Sequence, residues 1–224
     1  EFRFWHADGH WVTLEAIGNN LLNHPAIQGI VITARDVSER RRAQQLLQAL
    51  NQAALRMEHA LTPDEIYEAL EAELKTLSIS YMILLVDESQ SQLSIAHMSY
   101  DNSLIRAAER LIGADRRTFA IPIQGVDAYQ EVVWQKRTMR VNGEEAMQQV
   151  LPRVPRALIK RVIRLFNIPR TIASPLIVQD TVVGVLSIQS DELTENDIPT
   201  ITAFAHQVAA AWRKAQLMQD LSQS

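Results

Sequence analysis

Few side chains in this 224-residue chain are equipped for chemistry, and cysteine is not among them. Its absence removes thiolate nucleophiles, cysteine-held zinc or iron–sulfur centres, disulfides and thioether attachment of a chromophore. Two histidines stand in regular elements, His97 towards the end of a strand and His206 in a closing helix. From an interior cavity either could ligate haem iron. Against that, His206 falls between apolar Phe204 and Val208, a surface or dimer-facing position, and His97 flanks a strand end. Tyr100, Tyr129, Trp134 and Arg140 follow in the least regular part of the chain. Aromatic walls plus one cation suit a small anionic or planar ligand, but the same aromatics serve as ordinary core. No nucleophile elbow, glycine-rich phosphate loop or HExxH metal motif occurs, and seven glycines leave little for a nucleotide cradle. No catalytic residue and no metal site are expected here.

A second constellation does mechanical work instead. In Gly29–Ala43, GIVITARDVSERRRA, the β-branched run Ile30–Ile32 predicts a strand. Asp36 and Ser38 supply helix-capping oxygens, and Glu39 stands in the first turn of a helix. With no linker between them, strand and helix can pass rotation or register from one to the other.

The elements that position these residues follow from periodicity. Residues 1–37 read as three strands, the first two joined at Ala7-Asp8-Gly9-His10, an Asp-Gly hairpin signal. From Ser38 to about Leu61, Ala43, Leu47, Leu50, Ala54, Met57 and Leu61 recur at spacings of four and three, a coiled-coil seam. The other reading is a helix packed on its own domain. Thr62-Pro63-Asp64-Glu65 starts a helix through Leu77. Tyr81–Val86 predicts a central strand, Leu93–Met98 a second, Ser103–Ile112 a helix and Ala120–Ile123 a short strand. Tyr129–Trp134 predicts a short helix, Thr138–Val141 a strand, and Leu158–Phe166 a helix within an irregular insertion. Thr171–Val178 and Val182–Ser190 form a hairpin across Gln179-Asp180. After the Thr194–Asp197 cap, a long helix carries a seam of Ile201, Phe204, Val208, Ala211, Ala215 and Met218.

Composition narrows the class. With 47% hydrophobic and 21% charged residues the chain is an ordinary globular one. A net charge of −4 disfavours nucleic acid as a partner. No run of about 18 apolar residues suggests a membrane span, and the expected setting is cytoplasmic, any membrane anchor of the parent lying outside this segment. The start at Glu1, within a strand, suggests an excised piece of a longer protein. Between Glu145 and Asp180 there is no acidic residue, whereas Arg153, Arg156, Lys160, Arg161, Arg164 and Arg170 are basic. The readings are a surface for an anionic ligand, membrane or acidic partner, or a solvated face.

Two resemblances organise these elements. FRFWHADGHWVTLEAIGNNLL followed by GIVITARDVSERRRA resembles the end of a PAS sensor domain, whose exit motif Asp36, Ser38, Glu39 and Arg40 match. The resemblance implies a signalling joint in which Asp36 lies near Arg40. ASPLIVQDTVVGVLSIQSDELTENDIPTITAFAHQVAAAW resembles the end of a GAF domain, through Pro175-Leu176, Gly184-Val185-Leu186, Asp197 and Phe204-Ala205. The Asn-Lys-x-Phe-Asp-Glu string of cyclic-nucleotide-binding members is missing, and the reductase members depend on reactive cysteines. The expected fold is α+β: a PAS remnant of three strands (1–37), a connecting signalling helix (38–61), and a GAF domain (62–224) with an antiparallel sheet flanked by helices. The resemblance implies the sensory module of a multidomain signalling protein, a sensor histidine kinase first. The alternatives are a diguanylate cyclase or phosphatase regulator, or a spacer that binds nothing. The implied partners are a second copy, through helices 38–61 and 198–221, a downstream output domain, and a small ligand at His97, Tyr100, Tyr129, Trp134 and Arg140. The cofactor is unknown, with none attached through cysteine.

Overall fold

A computed structural model describes residues 1–166 and 170–222. The chain divides into two compact units, Glu1–Gln48 and Ala49–Ser224.

In the first unit β1 (Phe2–Trp5), β2 (Trp11–Leu21) and β3 (Gly29–Asp36) form an antiparallel meander in that order. Gly9 takes φ +83° in the β1–β2 turn, a value only glycine reaches without strain, and His6 N–H closes the turn on His10 O at 2.8 Å. Pairing Phe4 with Val12 and Gly18 with Ile32 puts Phe2, Phe4, Ile30 and Ile32 on one face of the sheet, and all four are exposed. Helix α1 (Ser38–Met57) leaves this unit and runs into the second.

The second unit is built on a six-stranded antiparallel sheet. Its strands are β4 (Ser80–Val86), β5 (Gln92–Met98), β6 (Ala120–Pro122), β7 (Met139–Val141), β8 (Thr171–Val178) and β9 (Thr181–Gln189), in the order β6-β5-β4-β9-β8-β7. The Gln179-Asp180 turn has positive φ at both residues, 47° and 67°, the twist a two-residue hairpin requires. Neither is glycine, so the turn stores some strain, and Lys136 Nζ donates to Asp180 O at 2.5 Å.

Helices cover both faces. On one lie α2 (Pro63–Leu74) and α7 (Ile198–Ser222), which pack on each other, α7 also on β8. On the other lie α3 (Asn102–Ile112), α5 (Gly143–Val150) and α6 (Arg156–Phe166), with the short turns of α4 (Asp127–Tyr129) and Gln130–Trp134. The caps are those the residue types dictate. Thr62 Oγ1 accepts from Glu65 N at 3.3 Å while Glu65 accepts from Leu61 N at 2.6 Å, and Asp197 accepts from Thr194 N at 2.7 Å.

Two features add to or depart from the sequence expectations. Gly143–Val150, to which the sequence assigned no element, is a helix whose cap is Asn142, with Asn142 Oδ1 accepting from Glu145 N at 3.3 Å. The seams also divide. Leu50 and Met57 of α1 are fully buried in this chain while Ala43, Leu47 and Leu61 are exposed, and α1 ends at Met57. In α7 the seam residues Ile201, Phe204, Val208, Ala211 and Ala215 are buried against their own domain, and beyond them Leu217, Met218 and Leu221 stand exposed. A spacing of three and four marks a buried stripe, whichever surface covers it.

Candidate functional site

Side-chain alternation gives the sheet of the second unit two different faces. From β4, β8 and β9, Met82, Ala173, Thr171, Ser187 and Gln189 point to the side of α3, α5 and α6. Between them and the helices lies a cavity of about 190 Å³. Its wall is apolar over most of its extent: Ile95 and Met98 from β5, Ile105 and Ala108 from α3, Ala146 and Met147 from α5, Val162 and Phe166 from α6. The amphipathic α6 is oriented by this need, for Ile159 and Val162 are fully buried while its arginines face outward.

The polar groups of the wall are few and neutral. Tyr100 Oη donates to Gln189 Oε1 across the floor, and the Tyr100 ring lies 4.6 Å from that of Phe166. Thr171 pairs with Gln189 and Ala173 with Ser187, so two hydroxyls and one amide share adjacent strands. Tyr129 is only 9% exposed, and burial pushes its phenol up to about 12, keeping it protonated at neutral pH. Glu109 and Arg116 are half-buried lining residues, and Glu109 Oε1 already accepts from Arg116 N at 3.0 Å.

Of the five residues singled out as ligand candidates, Tyr100 and Tyr129 line this cavity and the other three lie elsewhere. His97 pairs with Ile83 and therefore faces the opposite side of the sheet, beside a register shift at Ile83/Leu84. There its ring stacks on Tyr67 at 4.2 Å and Tyr81 at 5.4 Å, with Nε2 buried and unpartnered. Burial lowers its pKa, so the ring is held neutral. Trp134 is 45% exposed and donates to Gln90 O at 3.3 Å. Arg140 points outward to Glu195 at 3.5 Å, because its neighbour Val141 takes the inward position on β7. His206 is exposed. Among the described residues no group of three or more His, Cys, Asp or Glu side chains is placed to hold a metal ion.

Sequence reasoning passed over the aliphatic and methionine wall and the Thr171–Ser187–Gln189 floor. The available signal was the polar triplet on otherwise apolar strands: Ser187 and Gln189 alternate with Leu186 and Ile188, all fully or nearly fully buried. Hydroxyls and amides in such a strand need either a partner or a cavity.

At the strand–helix joint, β2 grips both sides of the bend. Thr13 O accepts from Val37 N at 2.9 Å, and Thr13 N donates to Ser38 Oγ at 2.7 Å. Asp36 Oδ1 accepts from Ser38 N at 2.8 Å, and hydrogen bonding from the Ser38 side chain, then its backbone, lowers the Asp36 pKa. Asp36 and Arg40 form no ion pair among the described residues. The carboxylate is taken by Ser38, and Arg40 extends into solvent from the first turn of α1.

A helix-sheathed antiparallel sheet with a side-chain cavity on one face defines a small α+β domain. Residues 62–212 match the GAF domain family, and the chain belongs to it. GAF domains are sensory and regulatory modules. No curated protein matches the chain. Among solved structures it is similar to the GAF domain of a phosphoenolpyruvate-protein phosphotransferase from Coxiella burnetii (15% identity, 80% of this chain and 98% of that one, TM-score 0.56). It is also similar to residues 122 to 287 of a methyl-accepting chemotaxis protein (16% identity, 76% and 99%, TM-score 0.53). A third likeness, to the chromophore-binding domain of a bacteriophytochrome from R. palustris, extends over 97% of this chain and 74% of that one at 8% identity, with TM-score 0.53. These likenesses concern the fold. No helix among the described residues is long and apolar enough to cross a membrane.

Proposed function

We propose that this chain is a sensory relay segment of a multidomain signalling protein, a sensor histidine kinase in the first instance. In this reading residues 1–37 are the last strands of a PAS domain, 38–61 the connecting helix, and 62–224 the GAF sensor with its output helix. Two copies associate through helices 38–61 and 198–221, where Leu47, Leu55, Leu61, Leu217, Met218 and Leu221 are exposed. The joint Asp36–Arg40 passes movement of the first sheet into α1.

The observation that carries the reading is the alternation of β8. Thr171 and Ala173 line the cavity, while Ile172, Ser174 and Leu176 point to the face that α7 covers. A molecule entering the cavity presses on one side of a strand whose other side seats the output helix. Packed interiors transmit such displacement rather than absorb it, and the ligand biases two helix arrangements by its difference in affinity for them.

Filling the cavity by mutation tests the relay without knowing the ligand. Ala173→Leu is expected to change hydrogen exchange in α7 between Ile201 and Ala215, and the dissociation constant of the dimer seen by light scattering. A chain that stays monomeric at high concentration, with α7 exchange unchanged in the filled variant, overturns the reading.

A further inference from the structure

The size and lining of the cavity restrict what can occupy it, and this restriction presupposes the sensory reading above only in treating the cavity as a binding site. We infer that the GAF unit takes a small, uncharged, mostly apolar molecule carrying one hydrogen-bonding group, such as a primary amide or alcohol on a ring, which bonds to Tyr129 and Ser187.

Volume comes first. A cavity of about 150 Å³ holds benzene, so 190 Å³ holds a ring with a short substituent. A nucleotide or a tetrapyrrole exceeds this volume.

Charge comes second. The buried part of the wall, from Ile105, Ala108, Ile121 and Ala146 to Val162 and Ala173, carries no ionised side chain. An anion or cation placed there would lose its hydration with no counter-charge to replace it. The two charged lining residues, Glu109 and Arg116, are half-buried and of opposite sign, so together they bring no net charge to the cavity, and the Glu109 carboxylate accepts from the Arg116 backbone N–H at 3.0 Å.

Polarity comes third. Tyr100 and Gln189 satisfy each other. Tyr129 and Ser187 line the cavity and are 9% and 2% exposed as residues. Their hydroxyls make no hydrogen bond among the described residues, yet neither oxygen is a buried orphan as His97 Nε2 and Gln148 Oε1 are, so both stay open to the cavity space. Hydroxyls that open into a cavity are where an occupant finds its hydrogen bonds. Both are hydroxyls, able to donate and to accept, so a neutral group with either capacity satisfies them.

Benzamide and benzoate make a matched pair of probes, with about nine non-hydrogen atoms each, the size this volume accepts, and differing in charge. The chain has six methionines, of which Met82, Met98 and Met147 line the cavity and Met57 and Met218 do not. In the full chain labelled with methyl-¹³C methionine, benzamide is expected to shift the three cavity methyls and leave Met57 and Met218 in place. Benzoate is expected to bind at least about tenfold more weakly. Tyr129→Phe removes one hydroxyl and is expected to weaken benzamide about three- to tenfold while leaving toluene unchanged, with the Met57 signal reporting that the fold persists. Equal or tighter binding of benzoate overturns the inference, as does the absence of cavity-methyl shifts with benzamide and toluene at millimolar concentration. If benzamide binds but α7 and dimerisation do not respond, the ligand class stands and the relay fails. If Ala173→Leu moves α7 while no neutral probe binds, the relay stands and the ligand class fails.

Discussion

Ile32 on the edge strand β3 and Ile83 on the interior strand β4 both sit mid-strand in an antiparallel ladder, yet the first is 67% exposed and the second fully buried. The first sheet is a three-stranded meander whose apolar residues are mostly exposed, with Val12 buried and Leu14, Ala16 and Leu21 half-buried. The second sheet has helices on both faces and buries residues of both parities, such as Tyr81, Ile83, Leu84 and Leu186. Local β-propensity is the same in the two regions. Burial is not, and burial is what turns a β-branched residue into stability.

Matched substitutions break that comparison most directly. Ile83→Ala is expected to cost about 2–5 kcal/mol in chemical denaturation, whereas Ile32→Ala should stay within about 0.5 kcal/mol. Equal costs would mean that the first sheet is covered in solution. The glycines form a second pair. A Cβ at Gly184 would run into the Leu84 carbonyl oxygen of the neighbouring strand, while at Gly18 its nearest neighbour is Ile30 Cγ2 at 4.0 Å. Gly184→Ala is therefore expected to cost about 1–3 kcal/mol and Gly18→Ala to be near neutral, read by the shift of the denaturation midpoint. Thr62→Ala, which removes the α2 cap, is expected to cost about 1 kcal/mol and to leave the first sheet's hydrogen exchange unchanged.

The smallest effect is on pH dependence. Burial lowers the His97 pKa, so the unfolded chain takes up a proton near pH 6.5 that the native chain refuses until lower pH. Stability is full above about pH 6.5 and declines as pH falls through the window between the two values. The melting temperature should follow that course, and His97→Phe should flatten it just below about pH 6.5. The slope at more acid pH, where Asp36, Asp87, Asp101 and Asp115 have pKa values lowered first by side-chain hydrogen bonds, should remain. A variant with an unchanged slope in the upper window would assign it to another group.

Hairpins, caps and strand order within each hairpin were legible from residue types. Asp8-Gly9, Thr62-Pro63 and Thr194–Asp197 act within three or four residues, over distances at which chain chemistry alone decides geometry. The helix α5 was not legible, because Asn142-Gly143 serves a turn and a helix cap equally well. Nor was the content of the cavity. Tyr100 and Tyr129 reach it and Trp134 does not, a difference between aromatics in the same irregular stretch that no local pattern encodes.

What the sequence determined by itself is therefore local: period-two strands, helical stripes at spacings of three and four, the joint at Asp36–Ser38, and the exclusion of cysteine chemistry. Only the tertiary structure decided which surface each stripe meets. The seam of α7 faces its own sheet up to Ala215, and His97 turns away from the cavity into a stack with Tyr67 and Tyr81. The physical reason is that burial is not directional. A periodic apolar stripe carries the same free energy against any apolar partner, so its partner is chosen by chain topology and by the register shift at Ile83/Leu84, neither of which is written in the stripe.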